Sequence, residues 1–144
     1  SCAIAEIAEY DAARLLDLEL VKPGSEAGYD AIGRGPRAGQ RIQIKGRTIF
    51  DEAKKGQRIG QIKIEQPWDS VLLVLMDENH DAYEIFEARR ADLEPHLEKA
   101  GESRRAKRGP ISVAKFKIIG RLVWTREEGV FESDMADNAR GSGA

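Results

Sequence analysis

The sequence predicts one α/β domain built around a mixed β-sheet, and three stretches carry that prediction. Ile4 to Leu18 places its apolar residues on one arc of a helix, at about 100° per residue. Arg41 to Ile49 alternates apolar and polar residues, as a strand with one wet face does. Val71 to Met76 is a continuous apolar run, typical of a strand covered on both faces. One helix and two kinds of strand within 144 residues indicate a single domain of mixed class.

In the first half of the chain, short segments on either side of a glycine-rich run predict an antiparallel hairpin. Tyr29 to Ile32 is a strand candidate, residues 33–39 are rich in Gly and Pro, and the strand from Arg41 follows. Residues 51–60 are polar and basic and predict a loop or a short helix. Ile62 to Ile64 predicts another brief strand.

The second half of the chain predicts a hairpin followed by two helices and a last strand. Residues 77–81 read as a turn, and Ala82 to Glu87 as the strand that returns beside the buried run. Ala88 to Ala100 has the pattern of a helix. Ser112 is placed to cap the N-terminus of a short helix, and Arg121 to Trp124 predicts the final strand.

Composition bounds the class of protein further. We expect the domain to occupy residues 1–125 and residues 126–144 to form an acidic, disordered C-terminal tail. The net charge of −2 argues against a uniformly basic nucleic-acid binder, although a local basic patch decides phosphate contact. Cys2 is the single cysteine, which excludes an internal disulfide framework and a cysteine zinc cluster. No apolar run reaches about 18 residues and no leader is evident, so we expect a soluble intracellular protein.

The polar face of the strand from Arg41 carries the candidate site residues. Gln43 and Lys45 share that face, and Asp30 lies on the preceding strand candidate. Adjacent strands of a hairpin would bring these side chains together. A carboxylate offers the hard oxygen that Mg²⁺ prefers, and a nearby lysine orients water or stabilises developing charge. The alternative is a half-exposed strand that carries Gln and Lys on its wet face for solubility alone.

Gly28 to Ile32, followed by Gln43-Ile44-Lys45, resembles the D…(E/Q)-x-K signature of PD-(D/E)XK nucleases. Ala8 to Leu16 is similar to the first core helix of that superfamily, in which a glutamate often joins the metal shell. The resemblance covers roughly residues 4–124 and is strongest to Mrr-like restriction endonucleases and Holliday-junction-resolvase-like members. It implies a restriction-endonuclease-like core, a central mixed β-sheet flanked by helices. Tyr29 stands where the family usually has proline, and Gln43 where most members have an acidic residue.

The resemblance also implies roles for particular residues in Mg²⁺- or Mn²⁺-dependent cleavage. The implied catalytic residues are Asp30, Gln43, Lys45 and Glu9. Asp30 and Gln43 would bind the metal, with the backbone carbonyl of Ile44 as a further ligand. Glu9 would add a ligand directly or through water, and Glu6 is the alternative glutamate on the same helix. The lysine would position the attacking water.

Basic residues elsewhere are candidates for contacts with a phosphate backbone. The predicted DNA-binding residues are Arg47, Arg104, Arg105, Lys107, Arg108, Lys115 and Lys117. A second candidate strip comprises Lys54, Lys55, Arg58 and Lys63. For either group the alternative interpretation is a solvated surface, the usual position of charged runs.

The prediction that results is a metal-dependent DNA endonuclease, a homodimer with one site per strand, in the cytoplasm of a prokaryotic cell. Two alternatives stay open. One is an inactive module of the nuclease fold that binds DNA or protein, and the other is a small interaction domain with no nucleic-acid role. Gln43 keeps the first alternative open, because a neutral amide contributes less charge to metal binding than a carboxylate does.

Overall fold

A computed structural model describes residues 2–22, 27–50, 57–101 and 111–131 of the chain. Within these ranges, one seven-stranded sheet is flanked by three α-helices, which confirms the predicted α/β class with a mixed sheet. The helices are α1 (Cys2–Leu16), α2 (Arg90–Gly101) and α3 (Val113–Ile119). The strands are β1 (Leu18–Leu20), β2 (Ala31–Gly33), β3 (Arg41–Thr48), β4 (Ser70–Met76), β5 (Ala82–Arg89), β6 (Arg121–Thr125) and β7 (Gly129–Val130).

The strands lie in the sheet in the order in which they occur in the chain, and one pair differs from the rest. β3 and β4 run parallel, whereas the other neighbouring pairs are antiparallel. Consecutive parallel strands need a crossover connection. Residues 57–69, which we call the crossover segment, are the described part of that connection, and they bury Ile59, Ile62 and Trp68 against one face of the sheet.

The sheet has a hydrophobic core on each face, and β4 contributes to both. Leu72 and Val74 pack on the side of α1, while Val71 and Leu73 pack on the side of α2, α3 and the crossover segment. All residues of β4 are buried. The prediction that its apolar run forms a strand covered on both faces is therefore confirmed.

Helix α1 ends two residues earlier than its apolar period predicted. Asp17 adopts a positive φ of 57°, which breaks the helix after Leu16. Leu18 then begins β1, a strand that the sequence did not predict, and remains buried. The apolar pattern of α1 extends to Leu18 because this strand residue is buried in the same core as the apolar face of the helix.

Gly46 lets α1 approach the sheet closely. A Cβ atom at this position of β3 would lie only 2.6 Å from the Cβ of Ala8 on α1. No other residue leaves that space, because real Cβ atoms are not found so close to one another. The close approach fixes where the next helix residue, Glu9, stands relative to β3.

The turn between β2 and β3 is anchored from inside the protein. Arg37 and Glu87 of β5 form a buried, two-pronged ion pair, with Nε–Oε2 and Nη2–Oε1 distances of 3.1 and 3.2 Å. Paired geometry of this kind offsets the desolvation of two buried charges. The pair holds the β2–β3 turn against the centre of the sheet.

Other local predictions met with mixed outcomes. The Ile62–Ile64 strand was wrong: this part of the crossover segment is irregular, and the Ile64 carbonyl accepts from the Arg90 side chain instead of a neighbouring strand. The cap was confirmed, since Ser112 Oγ accepts from the N–H of Lys115 at 3.0 Å. The sheet continues past residue 125 into β7, and residues 132–144 lie outside the described ranges. Among the described helices, none has the length and apolar character to cross a membrane.

Candidate active site

A polar cleft of about 470 Å³ opens beside the part of β3 that β2 leaves unpaired. β2 pairs with β3 only from Arg41 to Ile42, so β3 beyond this point is bordered by the residues before β2 and by the crossover segment. The polar side chains that line the cleft are Asp30, Gln43, Lys45, Gln61, Lys63 and Gln66. The three residues that the sequence singled out on the hairpin therefore share one cleft.

Asp30 continues the β2–β3 ladder with its side chain. Its backbone N–H donates to the carbonyl of Ile42 at 2.8 Å, as a strand residue would. Its carboxylate Oδ2 then accepts from the N–H of Ile44 at 2.7 Å. The carboxylate is thus fixed at the centre of the Gln43-Ile44-Lys45 segment, and it keeps further lone pairs for another partner.

The backbone carbonyl of Ile44 belongs to the same edge of β3. In a β-strand the N–H and the C=O of one residue leave from the same side of the backbone. Because the Ile44 N–H points at Asp30, the Ile44 carbonyl also leaves β3 on that side. The carbonyl oxygen of Ile44 therefore lies on the same edge of β3 as the Asp30 carboxylate.

Gln43 is almost buried, with 8% of its surface exposed, and its amide nitrogen has two acceptors. Nε2 donates to the carbonyl of Gly28 at 3.0 Å and to Oε1 of Gln66 at 3.3 Å. Gly28 has a φ of 85°, and a Cβ there would come within 2.9 Å of Pro67, so Gly28 packs directly against the Gln66-Pro67 step. The nitrogen end of Gln43 is engaged with these neighbours, which leaves Oε1 as its remaining acceptor.

Lys45 reaches across the cleft to the crossover segment. Its Nζ donates to the carbonyl of Gln61 at 3.0 Å. Burial lowers the pKa of Lys45, the positive charge of Arg47 adds to that effect, and the negative charge of Asp30 opposes both. A partly desolvated ammonium group therefore stands near the Asp30 carboxylate, where it can donate to water or to a phosphate oxygen.

Glu9 of α1 is the helix glutamate whose pKa responds to the charge of Asp30. Burial raises the pKa of the half-buried Glu9, and the negative charges of Asp30 and then Glu6 raise it further. Glu6 itself is exposed. Of the two helix candidates, Glu9 is therefore the one that lies in the field of the Asp30 carboxylate.

The donor chemistry of this cluster fits a hard divalent cation. The candidate oxygens are the carboxylate of Asp30 and the amide of Gln43, which line the cleft, the carbonyl of Ile44 on the same edge of β3, and the Glu9 carboxylate, whose pKa the charge of Asp30 raises. Mg²⁺ prefers one or two carboxylates together with neutral oxygens, water and phosphate. Across the described ranges, no group of three or more His, Cys, Asp or Glu side chains is placed to hold a metal ion. Neutral oxygens would therefore supply half of the protein ligands.

The predicted basic residues lie in several different settings. Arg47 is half buried, and its Nε donates to the carbonyl of Arg58 at 2.7 Å, which ties β3 to the crossover segment. On α3, Lys115 is exposed, whereas Lys117 lies 3.9 Å from the carboxylate of Glu84. Of the second strip, Arg58 and Lys63 are exposed on the crossover segment. The predicted residues outside the described ranges are Lys54, Lys55, Arg104, Arg105, Lys107 and Arg108.

Sequence reasoning missed the contribution of the crossover segment. Gln61 and Gln66 line the cleft, and Arg90 of α2 donates to the carbonyls of Gln66 and Trp68 at 2.7 and 3.0 Å. A lone glutamine in an irregular segment has no motif that marks it. The available signal was Trp68, a large apolar residue in a polar stretch, which indicates that the stretch packs onto the sheet.

A scan against models of protein families finds no match to this chain. A search of curated proteins likewise finds no match.

Proposed function

We propose that this protein is a metal-dependent DNA endonuclease of the PD-(D/E)XK type with a restriction-endonuclease-like core. The observation that carries the proposal is the 2.7 Å hydrogen bond from the Ile44 N–H to the Asp30 carboxylate. It joins the aspartate to the middle of the Q-x-K segment, where Lys45 lines the same cleft. A strand that only alternates polar and apolar residues for solubility would not require this hydrogen bond to Asp30.

Each residue of the cleft has a defined part in this proposal. A bound Mg²⁺ or Mn²⁺ would neutralise the scissile phosphate and lower the pKa of an attacking water. Asp30, Glu9, the Ile44 carbonyl and the Gln43 amide oxygen would hold the cation. Lys45 orients the water and donates to the oxygen on which charge develops.

DNA is the proposed substrate, and exposed cations near the cleft support phosphate contact. Lys63 lines the cleft itself, and Arg58 lies exposed on the same segment. Electrostatic contacts of this kind make binding strongly dependent on salt. With one cleft in each chain, a homodimer would place one site on each strand of a duplex.

Cleavage of supercoiled plasmid tests the proposal directly. Wild-type protein with Mg²⁺ or Mn²⁺ should nick or linearise the plasmid, and a chelator should stop the reaction. Asp30→Asn should abolish cleavage and Lys45→Ala should slow it strongly, while Asp92→Asn, which alters an exposed carboxylate on α2, should cleave like wild type. Equal cleavage by wild type and by Asp30→Asn would contradict the assigned site.

The second candidate is a nuclease-fold module that binds DNA or protein without cutting. The neutral Gln43 favours it, because the cation site then has two carboxylates, Asp30 and Glu9, and little negative charge. Salt-sensitive DNA binding together with no cleavage and no Mn²⁺ binding would support this candidate. DNA binding that is absent at low salt would leave the protein-interaction form of the module.

A further inference from the structure

We propose that Gln66 is a positioning residue that, together with the Gly28 carbonyl, holds the direction in which the Gln43 amide faces. In this arrangement Gln43 presents its oxygen, and not its nitrogen, to the divalent cation. The inference rests on the proposed function, since it concerns how a neutral side chain serves in that cation site. It assigns a role to a residue of the crossover segment, outside the D…Q-x-K residues themselves.

A glutamine at this position faces a problem that a carboxylate does not. The two ends of a carboxylate are equivalent, whereas one end of an amide accepts hydrogen bonds and the other donates them. An amide that turns its NH₂ group to the cation repels it, and one that turns its oxygen binds it. The two orientations have nearly the same shape, so packing alone does not choose between them.

The Gly28 carbonyl chooses the orientation, and Gln66 reinforces it. The carbonyl of Gly28 lies 3.0 Å from Nε2, and a carbonyl can only accept. Oε1 of Gln66 lies 3.3 Å from the same nitrogen and takes its second hydrogen. Turning the almost buried Gln43 amide over would place its oxygen against the Gly28 carbonyl, which cannot donate, and Gln66 would have to turn its own amide to follow.

The two acceptors are held side by side by close packing of the chain. A Cβ atom built at Gly28 would lie 2.9 Å from Cδ of Pro67 and 3.2 Å from Cβ of Gln66, so only glycine fits at this position. Gly28 and the Gln66-Pro67 step therefore lie directly against each other. The positive φ of Gly28 allows this contact.

Gln66 is fixed through its backbone by contacts that do not use its side chain. Arg90 donates to the carbonyls of Gln66, Trp68 and Ile64, and its guanidinium lies 4.5 Å from the centre of the Trp68 ring. The Trp68 indole in turn donates to the carbonyl of Lys63 at 2.7 Å. Replacing the Gln66 side chain therefore leaves the crossover segment anchored.

The test is a double-mutant cycle on Mn²⁺ affinity, measured by calorimetry for wild type, Gln66→Leu, Gln43→Leu and the double variant. Gln66→Leu should weaken Mn²⁺ binding about tenfold when Gln43 is present, as loss of an outer-shell partner does. It should have no further effect once Gln43 is leucine. An equal loss in both backgrounds, or no loss in either, would overturn the inference.

The matched control is Gln57→Leu. Gln57 is another crossover glutamine that donates to β3, to the carbonyl of Thr48 at 3.3 Å, but it lies outside the cleft. Its replacement should leave the Mn²⁺ affinity at the wild-type value. A tenfold loss here as well would mean that the affinity reports on the packing of the segment and would overturn the role of Gln66.

A measurement without metal separates failure of this inference from failure of the proposed function. By NMR, the side-chain NH₂ protons of Gln43 should exchange slowly in the metal-free wild type and at least tenfold faster in Gln66→Leu. Free exchange in the wild type would overturn the fixed orientation even if Mn²⁺ binds. Slow exchange with no Mn²⁺ binding would support the fixed orientation of the Gln43 amide but refute the cation site. The role that we assign to the orientation would then be refuted as well.

Discussion

Oδ2 of Asp30 lies 2.7 Å from the backbone nitrogen of Ile44 and accepts its hydrogen bond. The same aspartate donates its own N–H to the carbonyl of Ile42, so one residue satisfies two successive positions along the edge of β3. Just before β2 begins, the Asp30 side chain thus supplies the acceptor that a neighbouring strand would otherwise supply. Asp30 therefore serves the edge of the sheet and the candidate site with the same carboxylate.

Two substitutions of Asp30 should separate these two contributions. Asp30→Asn keeps an oxygen that can accept from Ile44 and loses the charge, so the fold should keep most of its stability while Mn²⁺ binding is lost. Asp30→Ala leaves the Ile44 N–H without its acceptor and should lower the free energy of unfolding by about 1–3 kcal/mol. Urea denaturation and calorimetry with Mn²⁺ measure the two effects. Equal destabilisation by both variants would contradict the structural role of the hydrogen bond.

Glu9→Gln should stabilise the metal-free protein at neutral pH. The folded-state pKa of Glu9 is raised, so the ionised form is disfavoured on folding, and the penalty grows as pH rises from the unfolded pKa through the folded one. We expect a small gain, limited by solvent screening, that vanishes in acid where the carboxyl is protonated in both states.

Mn²⁺ should raise the melting temperature of wild type more than that of Glu9→Gln, because the cation relieves the repulsion between Glu9 and Asp30. Glu6→Gln, which alters an exposed carboxylate on the same helix, serves as the control and should change both quantities less. The idea fails if wild type is the more stable protein at neutral pH without metal.

The two lysines that line the cleft should differ in which kinetic constant they control. Lys45→Ala should lower kcat by about 10²-fold or more while Mn²⁺ binding persists, because the lost interaction is strongest in the transition state. Lys63→Ala, at an exposed position, should act mainly on KM. Steady-state cleavage of a short duplex, with calorimetry for Mn²⁺, gives both constants. A larger loss of kcat in Lys63→Ala would reverse the assignment.

Gln43→Glu introduces the acidic residue that is usual at this point of the PD-(D/E)XK motif, yet it should destabilise this protein at neutral pH. One oxygen of the introduced carboxylate would stand where Nε2 now donates to the Gly28 carbonyl. We expect a loss of about 1–3 kcal/mol for the opposed acceptors. Repulsion raises the folded-state pKa of that carboxyl, so the loss should shrink as pH falls and the protonated group becomes a donor. Urea denaturation across the acid range would show a pH-independent loss if this account is wrong.

Lys115 and Lys117 on α3 should contribute unequally to DNA binding. Lys115 is exposed, whereas Lys117 lies 3.9 Å from the Glu84 carboxylate and over the ring of Phe86. Lys115→Ala should reduce the slope of log K against log salt by about 1, as the loss of one phosphate contact does. Lys117→Ala should reduce it less, since its charge is already partly offset. Fluorescence anisotropy with a labelled duplex measures the slopes, and identical slopes for wild type and Lys115→Ala would remove Lys115 from the interface.

By itself the sequence determined the elements whose burial follows a local period. The apolar arc of α1, the continuous run of β4 and the alternation along β3 identify these elements and the faces that they bury. The same alternation puts Gln43 and Lys45 on one face, and the turn-rich residues before β3 predict the hairpin that brings Asp30 beside them. Short-range spacing is enough for these inferences because each depends on neighbours in the chain.

Only the tertiary structure decided what encloses the site. The connection from β3 to β4 crosses over because these two strands pair in parallel. Arg90 anchors the crossover segment, which places Gln61 and Gln66 in the lining of the cleft. The orientation of the Gln43 amide follows in turn from the Gly28 carbonyl and Gln66. These contacts join residues 15 to 24 positions apart, and no local period encodes them, because they arise when separate parts of the chain compete to satisfy buried polar groups.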